Sequence, residues 1–183
     1  MIKFAVPYNG DINLIDEVLK KYEPYVESFF GNLGIDDFGG GRAQNATIIS
    51  TEEMLKKITR KLNAKNIDFN YVINNTSLLN DEFKDEYINK FKKFLHKLIQ
   101  LGVRKITLCN PYLIKIAKSS FPELKISASV NFKTRSVEEI KYLIDLGCDE
   151  ATLHYDLIKD FKKLKEIRKE TDMLLKLIPN DLY

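Results

Sequence analysis

Leu98-Ile99-Gln100-Leu101-Gly102-Val103-Arg104-Lys105-Ile106-Thr107-Leu108 runs in parallel with Tyr142-Leu143-Ile144-Asp145-Leu146-Gly147-Cys148-Asp149-Glu150-Ala151-Thr152-Leu153. Each passage reads as the apolar end of a helix, a glycine suited to the left-handed backbone that ends it, a charged turn, and a strand carrying Thr-Leu. A joint that recurs in this way is what a βα-repeat architecture produces.

The alternation continues outward in both directions. Upstream of the first joint, Phe83, Tyr87, Phe91, Phe94, Leu95, Leu98 and Leu101 form one apolar stripe at three- and four-residue spacing, the pattern of a long helix. Before it come strands over Ile2–Val6, Val26–Phe30 and Ile67–Ile73, with helices from about Leu14 to Tyr22 and from Ser50 to Asn63. Asp11 or Asn13 is expected to cap the first of these helices, and Ser50 with Glu53 has the spacing of a capping box. Downstream, Val103–Cys109 is the fourth strand, and Pro111 opens a short helix where its missing N–H costs nothing. Leu124–Val130, Asp149–His154 and Met173–Ile178 complete the strands, with helices from Ser136 to Gly147 and over Phe161–Glu170.

Seven strands and six helices can build an open doubly wound sheet or a barrel. The first strand–helix junction, Val6-Pro7-Tyr8-Asn9-Gly10-Asp11, lacks the GxGxxG turn of a dinucleotide fold. The expectation is therefore an α/β chain forming an incomplete TIM-type (β/α) barrel over residues 1–183 as a single domain. Closure needs eight strands. Another segment or another copy would supply the eighth, which predicts a homo-oligomer joined through an exposed edge strand.

Composition narrows the class. Apolar residues make up 44% and aromatics 11% of the 183 residues, which argues against disorder. Lys and Arg exceed Asp and Glu by 29 − 26 = 3, too little to imply nucleic-acid binding, although an RNA contact stays open. The lysines along Lys84–Lys97 and Lys159–Lys169 read as solvated helix faces. No apolar run nears the ~20 residues a membrane helix requires. Two cysteines, Cys109 and Cys148, without CxxC spacing and with a strand at the N-terminus in place of a targeting segment, predict a cytoplasmic protein. No metal-ligand spacing is present, so no metal is expected.

In a barrel the strand ends carry function. Here these are Tyr8 and Asn9, Phe30 and Gly31, Asn74 and Asn75, Asn110, Asn131, and His154, Tyr155 and Asp156. Asparagine recurs, and its amide both donates and accepts, so Asn9, Asn74, Asn110 and Asn131 could orient a peptide or small carboxylate ligand. The alternative is that asparagine simply suits turns. His154 and Asp156 stand two apart and on a strand would share one face, the first as general base and the second orienting it. A strand-end histidine that only hydrogen-bonds is the competing reading. Gly39-Gly40-Gly41-Arg42 offers backbone N–H groups and a guanidinium to an anion, carboxylate or phosphate.

Leu101–Pro111, Ile126-Ser127-Ala128-Ser129-Val130-Asn131 and Leu146–Asp149 with Leu153-His154-Tyr155-Asp156-Leu157 fall in a familiar order. In that order the chain resembles the collagenase-like peptidase family, the thirty-second peptidase family of unknown catalytic type. Ser127 and Asn131 match its Ser-Thr-Gln-Ala-Asn strand, and Ser129 stands at the glutamine. Tyr155 and Asp156 replace the arginine and glutamate of its Leu-Ser-Arg-Glu-Leu segment. The resemblance implies a TIM-type barrel, peptide-bond hydrolysis, and a substrate-binding role for Ser127 and Tyr155. Some relatives instead hydroxylate tRNA or a quinone precursor without oxygen. Leu177–Tyr183 resembles the stretch before the family's cysteine segment, so an iron–sulfur cluster is expected only in a longer form, and none in this chain.

Overall fold

A computed structural model of the chain describes residues 2–33, 37–39 and 51–179. Seven strands alternate with six helices: β1 (Phe4–Pro7), α1 (Ile12–Tyr22), β2 (Val26–Gly31), α2 (Glu52–Asn63), β3 (Asp68–Ile73), α3 (Asp85–Gln100), β4 (Lys105–Leu108), α4 (Pro111–Ser120), β5 (Lys125–Ala128), α5 (Val137–Leu146), β6 (Glu150–Thr152), α6 (Phe161–Lys169) and β7 (Leu174–Lys176). All strand pairs are parallel, and their order in the sheet is their order in the chain. A doubly wound sheet would reverse direction part-way across. This one does not.

Local chemistry places the helix ends. Asp11 caps α1, accepting from the Asn13 N–H at 2.8 Å. Asn110 caps α4 from its side-chain oxygen, with Pro111 in the first turn. Ser136 and Glu139 form a capping box at α5. At α2 the cap is Thr51, whose hydroxyl accepts from the Met54 N–H at 3.1 Å; Ser50 lies outside the described residues. Gly102 and Gly147, the two glycines of the repeated joint, both take the left-handed backbone, at φ +90° and +91°.

Paired residues on parallel strands share a face. Phe29–Phe69, Tyr71–Ile106, Ile106–Ile126 and Ala128–Ala151 put apolar residues on the helix side. There they pack with Leu55, Leu62, Phe91, Leu95 and Leu143, all buried. The opposite face pairs Ser28 with Asp68, Asn70 with Lys105, Lys105 with Lys125, and Ser127 with Glu150. That interior face is polar, and most of it is buried.

The charges on it prove that the sheet curls. Lys176 on β7 lies 3.4 Å from Glu27 on β2, although five strand spacings would separate them by about 24 Å on a flat sheet. Lys105 is 1% exposed and bonds both Glu27 and Glu150 across the interior. Glu27 joins this layer through a bulge. Phe4 pairs with Val26 and Ala5 with Ser28, so Glu27 is the extra residue on β2 and turns inward beside Ser28. Residues along β1 are largely exposed, with Phe4 at 60%, and no pairing of β7 with β1 exists among the described residues. Among those residues no helix is long and apolar enough to cross a membrane.

Candidate functional site

Polar side chains gather at the two ends of the barrel in different ways. At the N-terminal ends of the strands the charges neutralise one another. Lys105 is held by Glu27 and Glu150, Lys176 by Glu150 at 2.6 Å, and Lys125 by Asp68 at 2.9 Å. Asp68 Oδ1 also stands 2.9 Å from Arg104 Nη2, an ion pair outside hydrogen-bond geometry. Burial alone would raise the Glu27 carboxyl, but Lys176, Lys105 and the Ser28 hydroxyl outweigh it and bring it down to about 2. Burial likewise pulls Lys105 down, and Glu150 and Glu27 more than reverse the effect, lifting it above the ordinary 10.5. A cavity of about 670 Å³ opens beside this layer, lined by Lys3, Lys20, Lys21, Lys65 and Lys125 among others. In barrels this end serves stability, and chemistry sits at the other.

At the C-terminal mouth, two groups of residues come together. The first surrounds the tips of β3, β4 and β5. Asn131 donates its side-chain amide to the Asn74 carbonyl at 3.1 Å, and Cys109 Sγ lies 2.9 Å from the Asn75 carbonyl. Asn110, while capping α4, donates Nδ2 to Glu82 Oε1 at 3.1 Å. Asn74 Oδ1 and Glu82 Oε2 are buried and accept no hydrogen bond. Leaving such atoms unpaired costs roughly 1–3 kcal/mol each.

The second group lies after β6. This strand ends at Thr152, two residues earlier than its sequence suggests, and His154 caps a 3-10 helix over Tyr155–Lys159. His154 and Asp156 are thus brought together by a turn and not by strand alternation: Nδ1 lies 3.2 Å from Asp156 Oδ2. Arg135, from the turn before α5, completes the group. Its Nη2 is 2.9 Å from Asp156 Oδ2 and 3.0 and 3.1 Å from the two imidazole nitrogens, so it covers the ring face. Tyr155 lies against the same ring, with centroids 3.8 Å apart. His154 is 2% exposed, whereas the Arg135 and Asp156 side chains are about half exposed. The solvent-facing members of the group are Arg135 and Asp156.

The other expected residues join neither group. Asn9 follows β1, exposed, and accepts from the Asp11 N–H at 3.1 Å. Ser127 is 1% exposed on the interior face of β5, inside the barrel and not at its mouth. Arg42 lies outside the described residues. Glu82 and Arg135 sit in turns and carry no motif; only the folded chain brings them to the mouth.

Cys109 is the nucleophilic atom at this face, and burial pushes its thiol up to about 11. It is a neutral thiol at physiological pH, the wrong form for attack or metal binding. Cys148 lies at the other end of the barrel, before β6, with its thiol raised to about 12 by burial and by Asp149. An iron–sulfur cluster needs several thiolates around one point. Among the described residues no group of three or more His, Cys, Asp and Glu could hold a metal, so these residues do not fit such a cluster.

Comparison with known proteins settles the lineage. The pattern of peptidase family U32 matches residues 33–178. The chain belongs to peptidase family U32. An uncharacterized protease of Methanocaldococcus jannaschii is 25% identical over 174 residues, covering 94% of this chain and 50% of the relative. The chain therefore spans about half the length of that curated relative. The solved structure of a U32 peptidase superposes with a TM-score of 0.73 at 13% identity, over 97% of this chain and 68% of the other. A phosphonopyruvate hydrolase complex with oxalate and magnesium gives 0.60, also at 13% identity, over 97% and 67%. At such identity these two likenesses concern the fold, a TIM-like α/β barrel.

Proposed function

We propose that this U32 chain binds a peptide across the C-terminal mouth of its barrel and takes part in hydrolysing it. Water would be activated at the Asp156–His154 pair, and Arg135 would face the carbonyl or carboxylate oxygen. The observation that carries this reading is the cluster of Arg135, His154 and Asp156 where functional residues of barrels collect. Asp156 presents the exposed carboxylate. His154, buried behind it, can share the proton Asp156 takes from water, and Arg135 gives a fixed cation for developing negative charge. With Cys109 held as a thiol, a base-activated water fits this mouth better than a covalent intermediate. No step runs through an iron–sulfur cluster.

Incubation of a defined set of oligopeptides with the protein, read by mass spectrometry, tests the proposal. Wild type should produce shorter peptides, and His154→Gln and Asp156→Asn should each cut the rate by about 100-fold or more. Wild type that cleaves nothing, or variants that cleave as well as wild type, would overturn it.

A second reading is a non-catalytic barrel that works with another polypeptide. The exposed β1, unpaired with β7, favours it, because an open sheet edge is a template for an added strand. Under that reading the protein self-associates or captures a partner strand, and light scattering at high concentration reports more than one chain per particle.

A further inference from the structure

Arg135 is anchored at both of its ends, and only part of its guanidinium is used. Its backbone N–H donates to Glu139 Oε2 at 2.5 Å, just before the capping box that opens α5. The His154 N–H donates to the Thr134 carbonyl at 2.9 Å, which ties this turn to the tip of β6. At the far end, Nη2 meets Asp156 Oδ2 at 2.9 Å and lies over the His154 ring. Among the described residues every side-chain contact of Arg135 runs from Nη2, while Nη1 and Nε make none and the residue is exposed. The carboxylates nearby are already engaged. Glu139 accepts from backbone N–H groups at the start of α5, and Asp156 accepts from Nη2. Lys133, two residues before Arg135, is exposed, takes the left-handed backbone at φ +61° and forms no ion pair among the described residues.

A guanidinium is a planar fork of donors that matches a carboxylate, and one held in place loses less freedom when it binds. We infer that Arg135 receives the terminal carboxylate of a peptide, so that this mouth works on the C-terminal end of its substrate. The inference rests on the mouth being the peptide-binding face, and it names which peptides that face takes. Successive residues of a chain stand about 3.8 Å apart. With the terminal carboxylate on the unspent side of Arg135, the last peptide carbonyl therefore falls close to Asp156, which sits on Nη2. Hydrolysis there breaks the last C–N bond. Water supplies the hydroxyl of the new carboxyl group and a proton to the leaving amine, and one free amino acid departs. An aspartate or glutamate side chain in the ligand carries the same group, and the test separates the two sources.

Calorimetric titration of the full chain with trialanine and with trialanine amide tests it. The free acid should bind about 10-fold tighter, the range for losing one charge-assisted bond. Arg135→Gln should bring the ratio close to one. Arg135→Lys keeps the charge without the fork and should give a ratio between the two, with circular dichroism reporting that each variant is folded. A merely structural role for Arg135 would weaken both peptides alike and leave their ratio as it was. Ala-Ala-Asp amide separates the sources: if it binds as tightly as trialanine, any carboxylate serves and the terminal assignment fails. Equal affinities for acid and amide in wild type, no binding of trialanine, or an unchanged ratio in both folded variants would also overturn the inference. Mass spectrometry of the same mixtures separates it from the hydrolytic proposal. A preference for the free acid in a protein that cleaves nothing sinks hydrolysis and keeps the carboxylate site. His154-dependent cleavage of acid and amide at equal rates does the reverse.

Discussion

The two ends of this barrel bury polar atoms under opposite terms. At the N-terminal end Glu27, Asp68 and Glu150 each face a cation, and the most deeply buried cation, Lys105, has two carboxylates bonded to it and a third, Asp68, at 3.8 Å. At the C-terminal end Glu82 and Asn74 keep buried oxygens with no donor. Groups that neutralise one another hold a structure together and offer little to a ligand. Groups left without a partner weaken the structure, and the N-terminal end holds a few as well, at Asn63 Oδ1, Asp68 Oδ1 and Arg104 Nε, the last two set within the ion pairs there. The difference argues that the charge layer is scaffold and the mouth is site, although an opening of about 670 Å³ lies on the scaffold side.

Removing Lys105 is the harshest way to break the contrast. Lys105→Met leaves Glu27 and Glu150 buried and facing only Lys176, and should cost about 3–5 kcal/mol in urea unfolding, the range for stranding one member of a buried pair. A loss below about 1 kcal/mol would mean that solvent reaches the layer through the open seam and does the neutralising itself.

Acid should attack the same layer. Glu27 titrates near 2 in the folded chain against 4.5 when unperturbed, so the folded state holds its carboxylate more readily ionised. That contribution to stability is complete above 4.5 and is lost as pH falls from there toward about 2. Thermal melts across this window should show the melting temperature of wild type falling more steeply than that of Glu27→Gln. Parallel curves would place the acid sensitivity elsewhere.

How much of this was visible in the sequence follows from which interactions are local. The helices declared themselves because their apolar stripes, such as Phe91, Leu95 and Leu98, point at a single buried face. The glycines of the repeated joint did so because few other residues tolerate φ near +90°. Of the interior charges, Lys105 and Glu150 read as parts of charged turns, and Glu27, Asp68, Lys125 and Lys176 stood out in no way from the strands around them. Which face Lys105 takes is set by its pairing with Asn70 and Lys125, and Glu27 needs a bulge to turn inward. A trace was present: Asp68, Lys105, Lys125 and Glu150 each open a strand. At the mouth, the strand-end asparagines were legible by position, whereas Glu82 and Arg135 lie in turns that only long-range contacts carry to Asn110 and Asp156. The turn that brings His154 to Asp156 replaced the strand that their spacing suggested, and it left the histidine shielded.

Milder tests act at the mouth. Asn110→Ala removes the cap of α4 and the bond to Glu82 together, and should cost about 1–2 kcal/mol. Most of that is the cap, so Asn110→Ser, which can still accept from the helix N–H groups, should recover most of the stability without restoring the hold on Glu82.

Glu82→Gln is the smallest perturbation and the sharpest test of the contrast. The substituted side chain keeps an oxygen for the Asn110 amide and replaces the stranded carboxylate oxygen with an NH₂ group. A carboxylate oxygen that accepts nothing disappears, and an NH₂ group takes its place, while the bond from Asn110 is kept. Ligand-free stability should therefore move by less than about 0.5 kcal/mol, and the direction should be upward. Lys105→Met removes a charge from a buried position and Glu82→Gln removes one from a half-buried position, and they should differ in unfolding free energy by several kcal/mol. If Glu82→Gln instead destabilised the protein as Lys105→Met does, Glu82 would be part of the scaffold, and its unbonded oxygen would mark a structural water.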